Sequence, residues 1–194
     1  MTDIRRGENF FAPMKMVRDL KKYKRRSIRL QGYDYSSDGA YFVTICAYNR
    51  EYLFGEIVNG VMELNAYGKI VAEEWLKTEK IRNEIGLGEW VIMPNHFHGM
   101  ITINRRGTLQ RAPTCEQFGK PTSDSIPTIV RLFKSSVTTR IKKLYGHVAT
   151  CPNKIWQRNY HEHVIRNEND YFAITQYILD NPMKWEMDEY HPKK

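Results

Sequence analysis

Asn59-Gly60, set between the β-prone runs 54–58 and 61–64, is the strongest short-range constraint in the chain. Both central residues of a tight two-residue turn need positive φ, which Asn and Gly accept readily, so the sequence predicts a β-hairpin here. Upstream, the turn-forming stretch 32–39 leads into residues 40–47, rich in β-branched and aromatic side chains, which read as the first core strand. Downstream, Ile70, Val71, Trp75, Leu76 and Ile81 recur at three- to five-residue spacing among Lys and Glu. That spacing predicts an amphipathic helix over about 66–82, its apolar stripe covering one face of a sheet.

Residues 89–94 and 99–103 read as strands on either side of Asn95-His96-Phe97-His98. Pro94 has no N–H for a ladder, so it belongs at a strand start, an edge or a bulge. Residues 105–125 are polar, contain two Gly and two Pro and show no period, which marks a long insert. Beyond it, Ile129, Val130, Phe133, Val137, Ile141 and Leu144 form a helical stripe whose other side carries Arg131, Lys134, Arg140, Lys142 and Lys143. Such a basic helix suits a phosphate backbone, although a solvated charged face has the same pattern. Residues 154–158 form a short extended piece, and 168–180 a last helix that Pro182 ends.

A chain of 194 residues holds one domain with a full core, read as 28–185, with a basic arm over 1–27 and a tail over 186–194. Its longest apolar runs are far too short to cross a bilayer, and no secretory signal follows the basic start, which points to the cytoplasm. Cys46, Cys115 and Cys151 fit neither a disulfide framework nor a zinc pattern. The net charge of +8 makes a polyanion the natural partner class.

Side chains alternate along a strand, so His96 and His98 project to one side and Phe97 to the other. Two imidazoles on one face can chelate one divalent ion. A rival pair, His161-Glu162-His163, has the same form, but its spacing to His147 and Cys151 matches no zinc motif. Tyr177 and Asn181, four apart in the last helix, share a face, where a carboxamide oxygen suits a third ligand. A metal beside a tyrosine fits phosphodiester cleavage, with the phenol as nucleophile. Tyr160 and Tyr171 compete with Tyr177 for that role, and residue physics does not separate the three.

Residues 40–46, 91–99, 155–166, Asp170-Tyr171 and 177–182 together resemble the REP-associated tyrosine transposases, within the HUH single-tyrosine superfamily. The resemblance implies an α+β, ferredoxin-like HUH fold, an antiparallel sheet with helices packed on one face. It implies Mg²⁺ or Mn²⁺ on His96 and His98, with Asn181 standing where related transposases carry a Gln. Tyr177 would form a 5′-phosphotyrosine link and leave a free 3′-hydroxyl. The implied partner is single-stranded or hairpin DNA, with Trp156 and Tyr160 stacking on bases and Arg158 and Arg166 holding phosphates. Members of the wider group act as monomers or homodimers. The competing class is a non-catalytic single-stranded nucleic-acid-binding module on the same kind of sheet.

Overall fold

The structure, a computed structural model, describes residues 33–104, 124–149 and 151–192. The N-terminal arm and nearly all of the 105–125 insert lie outside the described residues. Strands β1 (Gly39–Cys46), β4 (Ile85–Met93), β5 (His96–Ile103) and β6 (His161–Ile165) form one antiparallel sheet in the order β4-β5-β1-β6. Helices α1 (Ala66–Lys80) and α2 (Ile126–Tyr145) make the two crossovers, and α3 (Glu168–Asp180) follows β6. Leaving aside the small hairpin β2 (Gly55–Val58) and β3 (Val61–Leu64), this is the βαββαβ order of the ferredoxin-like fold expected from the sequence.

Local chemistry sets the element ends. Asn59 and Gly60 have φ of 51° and 76°, the doubly positive pair that a type I′ turn between β2 and β3 requires. Asn65 caps α1, its Oδ1 accepting from the amides of Tyr67 and Gly68 at 2.9 and 3.0 Å. Those are two of the four donors that a helix start leaves unpaired. Asn167 caps α3 in the same way, accepting from Asp170 N.

The histidines lie on a strand and share a face as expected, but that strand starts earlier than residue 99. Residues 95–98 do not link two strands: the whole turn is Pro94-Asn95, and β5 begins at His96 itself. Pro94 therefore meets no ladder partner through its missing N–H, while its carbonyl accepts from Phe54 N at 3.1 Å. β6 was not foreseen, because its sequence His-Glu-His-Val-Ile carries three polar residues on a partly exposed edge.

The sheet has two unlike faces. Tyr41, Val43 and Ile45 of β1 and Phe97, Ile101 and Ile103 of β5 point to α1 and α2 and are almost wholly buried. Trp75 of α1 packs on Phe97 at 4.6 Å and on Phe133 of α2 at 5.2 Å between ring centroids. Phe42, Thr44, His96 and His98 project to the opposite face, where α3 lies. Thus α1 and α2 share one face, as expected, and α3 covers part of the other. No described helix is long and apolar enough to cross a membrane.

Gly99 lets Trp75 approach the sheet. A Cβ there would lie 2.7 Å from a Trp75 ring carbon and 2.8 Å from the Phe97 ring. Because neither ring has room to retreat in a close-packed core, Gly99→Ala is expected to lower stability by about 1–3 kcal/mol. Thermal denaturation should show a reduced midpoint; an unchanged midpoint would mean that the Trp75 wedge is not tight.

Candidate active site

The turn residue Asn95 is fully buried and fixes the first histidine. Its Nδ2 donates to the Tyr190 carbonyl at 2.9 Å, which orients its Oδ1 as the acceptor for His96 Nδ1–H at 2.8 Å. His96 therefore carries its proton on Nδ1 and presents a lone pair from Nε2. His98 Nδ1 is engaged by the Thr44 hydroxyl at 2.9 Å, and its Nε2 lies 2.9 Å from that of His96. Burial, followed by the neighbouring His161, pushes His98 down to about 3. Burial also holds His96 well below its usual value, with His98 and Arg50 adding to the effect. Both rings are thus neutral, the form that ligates metal.

Two imidazoles whose Nε2 atoms converge, with their far nitrogens held by side chains, are suited to a shared cation. Asp188 completes the cluster: its carboxylate and the two histidine ligand atoms all lie within 4.8 Å of one another. Asp188 accepts from Tyr190 N at 2.6 Å and from Asn181 Nδ2 at 3.1 Å. Burial nevertheless raises its pKa, the Tyr190 and Asn181 hydrogen bonds opposing that rise. Asn181 is 3 % exposed, and its Oδ1 is a buried acceptor with no hydrogen-bond partner among the described residues. The donor set of two imidazoles, a carboxylate and a spare carboxamide oxygen fits a divalent cation.

Sequence reasoning missed Asp188, which lies in the stretch read as a tail. The available signal was aromatic: Trp185 and Tyr190 flank it, and large rings in a tail need burial. Both are 7 % exposed, and Tyr190 packs on His96 with ring centroids 4.7 Å apart. Arg50 stacks on the other aromatic partner of that pair, 5.1 Å above the Tyr190 ring.

Tyr177 reaches this centre from α3. Its hydroxyl is 3.3 Å from His98 Nε2, and its ring meets Phe42 and His98 edge to face. The residue is 42 % exposed, but the hydroxyl end is inserted among buried groups. Burial, then the charges of Asp188 and Glu189, push its pKa up, while Asn181 opposes them. The other two tyrosines lie elsewhere: Tyr160 packs beside the core, and the Tyr171 hydroxyl faces Gly88 and Met100.

The residues expected to contact DNA are not brought together. Trp156 is 8 % exposed and packs between Phe54 and Phe133. Lys134 turns inward, donating to the carbonyls of Gln157 and Arg158 at 2.5 and 3.0 Å, and burial pulls it down to about 8. Arg131 is exposed on α2, across the sheet from the histidines, whereas Arg158 and Arg166 are exposed before and after β6.

A ferredoxin-like sheet here brings a buried histidine pair and a carboxylate together with a helical tyrosine. No protein-family model matches the chain. It is 43 % identical over 174 residues to an uncharacterized protein of Haemophilus influenzae, covering 86 % of this chain and 93 % of that one. It is 31 % identical over 98 residues to the REP-associated tyrosine transposase of Escherichia coli, a match spanning 50 % of this chain and 44 % of the relative. The solved structure of a REP-associated tyrosine transposase bound to a REP hairpin has the same fold. The TM-score is 0.52 at 21 % identity, over 86 % of this chain and 76 % of that one. Over half of its length the chain is thus similar in sequence to a REP-associated tyrosine transposase, and it shares the fold of another.

The cluster makes a direct demand on metal binding. Calorimetric titration with Mn²⁺ should show one site in the wild type, none in His96→Ala, and about 10- to 100-fold weaker binding in Asp188→Ala. Equal affinity in wild type and Asp188→Ala would remove Asp188 from the ligand set.

Proposed function

We propose that this protein is an HUH-type transposase that cuts and rejoins single-stranded DNA through a 5′-phosphotyrosine intermediate on Tyr177. One observation carries the reading: the Tyr177 hydroxyl stands 3.3 Å from His98 Nε2, at the point where the two imidazole nitrogens converge. A platform that only binds nucleic acid has no use for two buried, oriented, neutral histidines beside a tyrosine hydroxyl.

His96, His98 and Asp188 would hold the ion, Mg²⁺ or Mn²⁺, with Asn181 Oδ1 as a further oxygen donor. When bound, such an ion supplies charge for a developing phenolate and for the pentavalent phosphorane, and polarises the phosphate. The protein's own contribution is placement. Asn95 and Thr44 lock the imidazoles, and Phe42 supports the Tyr177 ring from one side. Burial keeps Tyr177 a neutral phenol until charge arrives at the site.

In the forward step the Tyr177 oxygen attacks phosphorus, the bond from phosphorus to the 3′-oxygen breaks, and the strand departs with a 3′-hydroxyl. The tyrosine proton is lost and the departing oxygen gains one, so the exchange is balanced. Attack of a 3′-hydroxyl on the phosphotyrosine reverses these changes and reseals a strand without an external energy source. The solved relative bound to a hairpin supports hairpin-bearing single-stranded DNA as substrate. Arg158 and Arg166, both exposed, would meet its phosphates.

Incubation with hairpin-bearing single-stranded DNA and Mn²⁺, followed by a denaturing gel, tests the reading. The wild type should give a covalent protein–DNA adduct, and Tyr177→Phe should give none while binding the DNA with similar affinity. An adduct formed by Tyr177→Phe would assign the nucleophile to another residue.

A further inference from the structure

The approach to Tyr177 is open from one side. α3 lies against β4, and Tyr190 covers the His96 end of the site. Towards β6 the same sheet face is partly exposed at Phe42, His161 and His163, next to the buried Thr44 and His98. The strand register explains the grouping. Thr44 pairs with His98 on one side and His161 on the other, and Phe42 pairs with Met100 and His163. Directly opposed residues project to the same face, so the second His-x-His motif floors a partly exposed flank of the site.

His163 is held in one orientation. Its Nε2–H donates to Asp170 Oδ2 at 2.9 Å, and its side chain remains 38 % exposed. Asp170 precedes Tyr177 by seven residues on α3, so both lie on one flank of the helix, two turns apart. With Nε2 engaged by Asp170, the other ring nitrogen, Nδ1, has no hydrogen bond among the described residues and is the atom left to meet a ligand. A lone pair repels phosphate oxygens but accepts from the amino group of a base. Phe42 lies beside it as a flat apolar surface, its ring 6.1 Å from that of Tyr177.

The geometry points to a base-reading pocket. One unpaired DNA base next to the phosphate attacked by Tyr177 stacks on Phe42, and its amino group donates to His163 Nδ1. Asp170 is the positioning residue that sets the ring. Adenine, cytosine and guanine each carry an exocyclic amino group, and thymine does not. His163 is then a determinant of which bond is cut. This inference rests on the transposase reading above.

The test uses the full chain, Mn²⁺ and a pool of hairpin-bearing single-stranded oligonucleotides randomised in their unpaired flanks. Covalent adducts are recovered and sequenced. Wild-type adducts should be depleted of thymine at one position beside the cut, in favour of the bases that carry an amino group, and His163→Ala should reduce that preference about tenfold. Its thermal midpoint and Mn²⁺ affinity should stay at wild-type values. Should the alanine variant fail to fold, His163→Gln should show the same loss. An unchanged preference, a uniform fall in adducts with the preference intact, or no wild-type preference at that position overturns the pocket alone. Absence of any wild-type adduct overturns the transposase reading, and the pocket with it.

Discussion

The register between β1 and β5 is the constraint on which everything else depends. Pairing Thr44 with His98 and Ile45 with Phe97 sends the imidazoles to one face and the aromatic core to the other. Side chains alternate with a period of two, so a slip of one residue would drive both histidines into the core and Phe97 into the site. Trp75, Phe97 and Phe133 hold this register by packing, and Gly99 admits the Trp75 ring close to the strand. The core that stabilises the sheet and the site that does its chemistry are two sides of one strand.

On the site face, charge is kept out of a dry pocket until something brings it in. The buried imidazoles stay neutral, the Tyr177 phenol resists ionisation, and burial raises even the Asp188 carboxyl. Each group would release its proton or share its lone pair most readily in the presence of a cation and a phosphate. α3, which carries Tyr177, has a single fully buried residue, Ile178, so few apolar contacts anchor it. Elements of that kind belong to the less stable part of a fold, where motion during a reaction is least costly.

Much of this was legible in the sequence because the signals were local. Asn59-Gly60, the stripe around Trp75 and the stripe from Ile129 encode turn geometry and periodicity directly, and the turn and both helices appear as expected, although Leu76, Ile81 and Leu144, read as part of the stripes, are exposed. β6 was hidden because an edge strand with two histidines and a glutamate has no apolar alternation. Asp188 was hidden because its place beside His96 arises from a chain reversal after α3, which no spacing records. Trp156 and Lys134 show the opposite limit: an aromatic and a cation have the same letters whether they face DNA or the protein's own core and carbonyls.

The central claim is that the histidine pair and Tyr177 are one site that forms a covalent bond to DNA. Tandem mass spectrometry of peptides from the trapped protein–DNA adduct tests it most directly. The account predicts a 5′-linked nucleotide on the phenolic oxygen of Tyr177, with a free 3′-hydroxyl on the released strand. A nucleotide on Tyr160, on Tyr171 or on any other residue would contradict it.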